Sequence, residues 1–150
     1  MSEIAENKDK KLRLRIITPT RQVFDDDVDM VIMQTIDGQI GVMSGHIPVT
    51  TVLGLGPLRI YNDEKVEIYA IFGGFSEINQ QGATVLADMA ELPEEIDAER
   101  ARRAKERAER RLTERSADLD EKRAKAALRK SLVRLELAGL PTTTEEADKK

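Results

Sequence analysis

The sequence contains no cysteine and no tryptophan, and it has a single histidine. The missing cysteines exclude disulfides and thiol nucleophiles, and one histidine excludes a two-histidine metal site or proton relay. No serine has a histidine and an acid at the spacing of a recognisable catalytic triad. We therefore predict no catalytic residue, no metal site and no required cofactor, and most enzyme classes are disfavoured.

Long apolar runs are also missing. No run approaches the roughly 18–20 residues that cross a bilayer, and the N-terminus lacks the apolar region of a signal peptide. Hydrophobic residues nevertheless make up 40% of the chain, which is enough for a modest core. We expect a folded protein that does not insert directly into a membrane.

Composition and charge divide the chain near Pro93. All aromatic residues and eight of the nine glycines precede it, and residues 1–92 hold 8 Lys+Arg against 14 Asp+Glu. Residues 93–138 hold 14 Lys+Arg against 11 Asp+Glu and consist mainly of Ala, Arg, Lys, Glu and Leu. The first composition is typical of strands and the second of helices. The predicted organisation is a disordered N-terminus (1–10), a β-sandwich domain (11–91), a helical hairpin domain (93–139) and a disordered tail (140–150).

The first part contains several short β patterns. Leu12–Ile16 alternates apolar and charged side chains, which is typical of a half-buried strand. Asp25–Asp27 is expected to be an acidic surface loop, and Val28–Ile36 is apolar at both parities, which predicts a strand covered on both faces. Asp37-Gly38 and Asn62-Asp63 predict hairpin turns. Short strands with turns every 8–12 residues or so predict an antiparallel sandwich or barrel.

The second part predicts two antiparallel helices. Pro93, followed by two glutamates, is a strong helix start, and the first helix is expected to run to about Thr113. A capping box beginning at Asp118 predicts the start of the second helix, which ends at Gly139 with a proline beyond it. The short link between the helices makes them antiparallel. The predicted fold class is thus an all-β N-terminal antiparallel β-sandwich followed by an antiparallel two-helix hairpin.

The apolar stripes of these helices are narrow. Ala101, Ala104 and Ala108 share one stripe of the first helix, and Leu128 and Leu132 share one face of the second. At about 0.8 kcal/mol per buried CH₂, a face of methyl groups contributes only a few kcal/mol. Ala126, Val133 and Leu137 form a second apolar strip on the other side of the second helix. One strip can pack on the first helix, and the other needs a further partner. The hairpin is therefore expected to dock, extend or open, although a static helical appendage fits the periodicity equally well.

Arginine is abundant between Arg100 and Arg115, which raises the question of nucleic-acid binding. Glutamates at 99, 106, 109 and 114 are interleaved with these arginines, and no aromatic side chain accompanies them. Mixed charges at helical spacing are typical of a solvated face, and binding of single strands needs aromatic stacking. We predict no nucleic-acid partner.

A cluster of charges on the helices could instead hold a small anion. Asp97 lies within the alanine stripe and Arg100 borders it, while Lys130 and Arg134 are one turn apart on the second helix. Two or three cations beside an alanine-lined floor could bind a phosphate-bearing ligand. The alternative is an intrahelical Asp97–Arg100 pair with exposed basic residues.

Several motifs together resemble one family. The run Asp37–Leu53 (DGQIGVMSGHIPVTTVL), Gly56–Ile60, Gly73–Asp88 and Ile96–Ala101 are similar to the epsilon subunit of bacterial F-type ATP synthases, and the resemblance covers residues 12–140. It implies an N-terminal β-sandwich and a C-terminal two-helix domain. It also implies a non-catalytic rotor subunit.

The family's glycine-rich turn, associated with the rotor contact, has a counterpart here. Gln39 stands where glutamate is frequent in the family, and Ser44 stands where proline is frequent. The resemblance implies a rotor-contact turn formed by Gly38, Gln39, Gly41, Gly45, His46 and Pro48.

Some bacterial members bind ATP through an Ile/Leu-Asp-x-x-Arg-Ala motif and two basic residues of the second helix. The motif is complete in this sequence, and lysine replaces the first of the two basic residues. The resemblance implies, as a hypothesis, ATP as a regulatory ligand of Ile96, Asp97, Arg100, Ala101, Lys130 and Arg134.

The implied role is mechanical and regulatory. Such a subunit links the gamma subunit to the c ring, couples proton translocation to ATP synthesis, and restrains ATP hydrolysis when its helices extend to the catalytic head subunits. It would lie at the cytoplasmic face of the bacterial membrane as a peripheral protein. The alternative is a regulatory factor that inserts its hairpin into the channel of another enzyme, for which acids at the tip, such as Asp118 and Asp120, would be needed.

Overall fold

The computed structural model describes residues 10–145, which form eleven strands, a 3₁₀ turn and two helices. The strands are β1 (Leu12–Ile17), β2 (Gln22–Val28), β3 (Met30–Thr35), β4 (Gly38–Met43), β5 (Val49–Val52), β6 (Leu55–Asn62), β7 (Lys65–Phe72), β8 (Gly74–Ile78), β9 (Gly82–Ala87), β10 (Ala90–Glu91) and β11 (Thr143–Glu145). The 3₁₀ turn is Pro93–Glu95, and the helices are α1 (Ala98–Glu114) and α2 (Glu121–Leu137).

The strands form a sandwich of two sheets. One sheet has the order β2-β1-β9-β8-β5, and the other has the order β10-β7-β6-β3-β4 with β11 also paired to β7. The predicted β-sandwich followed by a two-helix hairpin is confirmed. The pairing is antiparallel except between β1 and β9, which run parallel. This parallel pair joins strands from the two ends of the domain, so no turn motif could have indicated it.

Large apolar side chains fill the space between the sheets. The alternation in β1 places Leu12, Leu14 and Ile16 fully inside, while the arginines between them stay exposed. Residues from both sheets meet them in one continuous core that includes Val31, Met33, Leu58, Ile60 and Val85. This core belongs to the sandwich alone.

The prediction of an acidic loop at Asp25–Asp27 is wrong, because these residues lie within β2. Arg13 on the neighbouring strand contacts the carboxylates of Asp25 at 2.8 Å and Asp27 at 3.5 Å. β2 is an edge strand, where outward-facing charges remain in solvent and are compatible with strand structure.

The apolar run Val28–Ile36 is not one strand covered on both faces. Val28 ends β2, β3 begins at Met30, and Ile36 is 67% exposed beyond the strand. The two predicted turns are present, with Gly38 at φ +128° and Asp63 at φ +56°. Positive φ at these positions is what tight hairpin turns require.

The helices begin later than predicted. Pro93 starts only the 3₁₀ turn, since Ile96 is extended and Asp97 caps α1 by accepting a hydrogen bond from the backbone N–H of Arg100. Asp120, and not Asp118, caps α2 through the N–H of Arg123. Within residues 10–145, neither helix is long and apolar enough to span a bilayer.

Small side chains form the contact between α1 and α2. Ala101 and Ala108 of α1 and Ala124 of α2 are buried, as is Ser131, whose hydroxyl donates to the carbonyl of Ala127 at 2.8 Å. Leu132, predicted to share an apolar face with Leu128, is 46% exposed and so lies outside the buried contact between the helices.

The C-terminal part of the second apolar strip of α2 packs on the sandwich, whereas Ala126 is exposed. Leu137 is buried against Ala70 and Phe72 of β7, with Val133 and Ile96 beside them. The further partner that this strip needs is therefore supplied by the chain itself.

The expected disorder of residues 140–150 is wrong for Thr143–Glu145, which pair with β7 as β11. Main-chain pairing along a free strand edge can order a segment with no apolar pattern. Residues 1–9 and 146–150, also predicted to be disordered, lie outside the described residues.

Candidate functional site

A cavity of about 460 Å³ lies where the 3₁₀ turn, α1, α2 and β10 meet. This volume is within the range of small-molecule sites. Acidic, basic and apolar side chains all contribute to its wall. The lining residues are Met89, Glu91, Glu95, Ile96, Asp97, Arg100, Ala101, Ala104, Arg107 and Arg134.

Arg134 is held firmly in the wall of the cavity. Its Nη2 and Nε donate to the two carboxylate oxygens of Glu91 at 2.8 and 3.0 Å. Its guanidinium carbon lies 4.7 Å from the centroid of the Phe72 ring, which is a cation–π contact. Arg134 thus connects α2 to β10 and β7 of the sandwich, in the paired geometry that favours arginine over lysine.

Asp97 and Arg100 are joined through the backbone. The Asp97 Oδ1 accepts from the Arg100 N–H at 3.0 Å, and no ion pair between the two side chains is present within residues 10–145. The carboxylate therefore performs a capping role, and the alternative of a side-chain ion pair is not observed. The guanidinium of Arg100 is left available to the cavity.

Arg107 is a cavity residue that the sequence analysis missed. It lies seven residues after Arg100, hence two turns further along the same face of α1. Both side chains are exposed, and neither guanidinium has a hydrogen bond or ion pair to another group within the described part of the chain. The signal that could have found Arg107 was its i+7 spacing; Glu91 had no comparable signal, since it comes from β10.

The predicted ATP residues are only partly brought together. Four motif residues and one basic residue of α2 line the cavity: Ile96, Asp97, Arg100, Ala101 and Arg134. Lys130 is half-buried one turn before Arg134 and is not part of the lining. Its role as a ligand stays a prediction.

The predicted rotor-contact turn forms the start of β4 and the loop between β4 and β5. Gly38 and Gly45 adopt φ of +128° and +85°, and the Nδ1 of His46 lies 2.7 Å from the carbonyl oxygen of Ile47. Gln39 and Pro48 are exposed, and Gly41 lies in β4. The structure thus places these six residues along one edge of the sandwich.

Large apolar side chains are exposed on β4, on β5, in the loop between them, and at the neighbouring Ile36 and Phe75 of β8. The amide of Ile36 donates to the carbonyl of Val52 at 3.1 Å, and Val52 pairs with Phe75, so these three lie side by side. Exposed apolar side chains that lie side by side in this way are typical of interaction sites. We call this surface the edge patch; it comprises Ile36, Met43, Ile47, Val49, Val52 and Phe75.

Comparison with known protein families and sequences gives one consistent result. The family model of the ATP synthase delta/epsilon chain β-sandwich domain matches residues 11–93, and that of the long α-helix domain matches residues 94–139. The ATP synthase epsilon chain of Halalkalibacterium halodurans is 43% identical over 129 residues, covering 85% of this chain and 97% of that one. That of Symbiobacterium thermophilum is 46% identical over 129 residues, covering 85% and 93%.

Solved structures share the fold. A chain of the Euglena gracilis mitochondrial ATP synthase (OSCP/F1/c-ring) superposes with a TM-score of 0.75 at 24% identity, covering 87% of this chain and 82% of that chain. A chain of the Tetrahymena thermophila mitochondrial ATP synthase central stalk and c ring gives a TM-score of 0.60 at 20% identity, covering 85% and 95%. Since the family models and the relatives cover both the sandwich and the helices, this chain belongs to the ATP synthase delta/epsilon family.

Proposed function

We propose that this protein is the epsilon subunit of a bacterial F-type ATP synthase, a non-catalytic part of the central stalk. The observation that carries the proposal is the match of both domains to the delta/epsilon family, together with relatives named ATP synthase epsilon chain at more than 40% identity. Catalysis then belongs to other subunits. Its part in ATP synthesis is to couple proton-driven rotation to the catalytic head.

The edge patch and the adjoining glycine-rich turn are the proposed contacts with the gamma subunit and the c ring. An exposed apolar strip on two edge strands requires a cover to avoid aggregation, and a permanent partner provides it. Peripheral attachment at the cytoplasmic face of the membrane follows from such contacts.

The cavity is the proposed site of ATP. Arg100 and Arg107 supply two guanidinium groups for phosphate oxygens, and charge-assisted bonds of this kind are the strong ones. Carboxylates of Glu95 and Asp97 can accept from the amino or hydroxyl groups of the nucleoside. Arg134 reaches the same cavity from α2, so one ligand would contact both helices and the turn before them.

ATP would thereby favour the docked hairpin. A ligand shifts an equilibrium only by its different affinity for the two states, and Arg134 completes the lining of this cavity only when α2 lies against β10. When ATP falls, the hairpin would leave the sandwich. The arginine-rich face of α1 would then engage acidic surface on the catalytic head and restrain hydrolysis.

The rotor role is tested by assembly. The full-length protein should co-purify with the gamma subunit, and replacing Val52 and Phe75 by serine should weaken that complex at least tenfold. Replacing the exposed Thr50 by serine on the same strand is the control and should leave binding unchanged. If the unaltered protein, the double variant and the control bind gamma equally, the edge patch is not part of the interface. If none of them binds, the rotor role is contradicted.

The ATP site is tested by amide hydrogen exchange of residues 94–138 during titration with ATP. Millimolar ATP should slow exchange in both helices. Arg100→Ala combined with Arg107→Ala should abolish the response. Arg103→Ala combined with Arg110→Ala removes the same charge from α1 outside the cavity lining and should preserve it. Unchanged exchange in the unaltered protein would overturn the ATP-sensing proposal.

The hairpin-insertion factor has weaker support. It depends on acids at the hairpin tip, yet Asp120 is used as the cap of α2. The match to the delta/epsilon family also includes the sandwich domain. A hairpin-insertion factor would not need a sandwich of this kind.

A further inference from the structure

The chain continues past α2 and returns to the sandwich. Residues 138–142 connect α2 to β11, whose Thr143, Thr144 and Glu145 pair with Glu67, Val66 and Lys65 of β7 in antiparallel register. The Ile68 N–H donates to the carbonyl of Thr142 at 2.8 Å, which extends the contact by one residue. The last described strand therefore joins the sheet on which α2 packs.

β11 fills an edge that the sandwich domain leaves half open. β6 covers one side of β7, while on the other side β10 reaches only Ala70 and Ile71. β11 takes the remaining part of that side. An unpaired strand edge exposes main-chain groups, so its occupation is favourable in itself.

The returning segment also contacts the start of the helical part. The Thr142 N–H donates to Oε1 of Glu94 in the 3₁₀ turn at 3.4 Å. One short stretch of chain thus touches β7, the end of α2 and the turn from which the hairpin would swing. These are the places that must separate when the hairpin leaves.

The link between α2 and β11 is short. Five linking residues make six Cα–Cα steps between Leu137 and Thr143, which span at most about 21 Å when fully extended. While β11 stays paired, the end of α2 cannot move further than this from β7, so extension of the whole hairpin requires β11 to detach. Until β11 detaches, the link also limits how far Leu137 can move from its buried contact with Phe72.

We propose that β11 is a latch that fastens the helical hairpin to the sandwich. Its release is the step that must precede hairpin extension, and the inference rests on the proposed function only in treating that extension as a working state. The family models end at residue 139, so the latch lies outside the matched part of the chain.

The test uses the alternation of hydrogen-bonded pairs in an antiparallel ladder. Since Ile68 donates to Thr142, the next hydrogen-bonded pair is Thr144 with Val66, and Thr143 lies at a position between. Thr144→Pro removes an N–H that faces β7, whereas Thr143→Pro removes one that faces away. The two variants carry the same substitution on neighbouring residues and form a matched pair.

Amide exchange of the full-length protein without ATP is the measurement. Thr144→Pro should speed exchange in the C-terminal half of α2 roughly fivefold to tenfold, as loss of one ladder bond implies, and Thr143→Pro should stay within about twofold of the unaltered chain. A chain ending at Leu140 should match or exceed Thr144→Pro. Exchange in β1 should not change in any variant, which separates unlatching from loss of the sandwich.

The latch is overturned if the chain ending at Leu140 exchanges like the unaltered protein, or if both proline variants behave alike. ATP hydrolysis by the assembled ATPase is a separate readout. Stronger inhibition with Thr144→Pro than with Thr143→Pro supports both the latch and the inhibitory role of the hairpin. Faster exchange with unchanged hydrolysis supports the latch and contradicts that role.

Discussion

The sandwich and the helical hairpin are stabilised by different kinds of contact. Leucine, isoleucine and valine from both sheets fill the sandwich in one continuous core. Alanines and one serine are the buried residues between the helices, where less apolar surface is removed from water. The sandwich can therefore fold as a unit, whereas the stability of the hairpin depends on its contacts with the sandwich.

The hairpin has three kinds of attachment to the sandwich. Leu137 packs against β7, Arg134 pairs with Glu91, and β11 extends the sheet. Each attachment is local, and all three involve the C-terminal end of α2 or the segment that follows it. The sandwich can therefore keep its structure if the helices change place, which suits the regulatory role proposed for the hairpin.

The largest expected effect comes from breaking the sandwich core. Leu14 is fully buried, so Leu14→Ala should lower the free energy of unfolding by about 4 kcal/mol through lost burial and the remaining cavity. Urea denaturation followed by circular dichroism measures this loss. Arg15→Ala, the exposed neighbour on the same strand, is the control and should cost less than about 1 kcal/mol. Similar losses in the two variants would contradict the core described here.

The second-largest expected effect is a weaker docking of the hairpin with no change in the sandwich. Leu137→Ala should weaken hairpin docking by about 2–3 kcal/mol, because this buried side chain joins α2 to β7. The rate of amide hydrogen exchange should rise across both helices and stay the same in β1 and β9. Leu132→Ala truncates the same residue type on the same helix at a 46% exposed position and should have little effect. Equal responses would mean that the packed face of α2 is assigned incorrectly.

A smaller effect is expected from the ion pair between the regions. Glu91→Gln removes one charge from a half-buried bidentate pair, which should weaken docking by about 1 kcal/mol. Exchange in α2 is again the readout. Glu64→Gln, in the exposed turn after β6, should leave exchange unchanged. If the weakening of docking disappears at high salt, the pair has a purely electrostatic role. If docking is not weakened at all, the pair does not attach the hairpin to the sandwich.

Patterns within one segment predicted much of this structure. Alternation identified β1, and the dipeptides Asp37-Gly38 and Asn62-Asp63 identified two hairpins. The two helices and their antiparallel arrangement followed from composition and a short link. These features depend on residues that are close in the sequence.

The features that were missed depend on distant residues. The acidic strand β2 is stabilised by Arg13 across the sheet, β1 meets β9 from the other end of the domain, and β11 needs the free edge of β7. The candidate site shows the same limit. Arg107 could have been found by helical spacing, but Glu91 enters the cavity only because α2 docks on β10.

The smallest expected effect concerns pH and the sandwich alone. The pKa of Asp29 lies below its usual value because the Lys11 ammonium, 2.7 Å away, hydrogen-bonds the carboxylate, with a further bond from the Asp63 N–H. A lowered folded-state pKa means that the stabilisation is present above the unfolded pKa, near 3.9, and is lost as the pH falls through the folded value.

Asp29→Asn should therefore cost less than about 1 kcal/mol at neutral pH, since the pair is partly exposed to solvent. The difference from the unaltered protein should shrink as urea denaturation is repeated from pH 6 down to about pH 3. Lys11→Gln removes the cause of the shift and should reduce the same pH dependence. Amide exchange in α1 and α2 should not respond, because Lys11 precedes β1, Asp29 follows β2 and Asp63 lies in the β6–β7 turn, so all three belong to the sandwich. A response there would show that the sandwich and the hairpin are more tightly coupled than their separate contacts indicate.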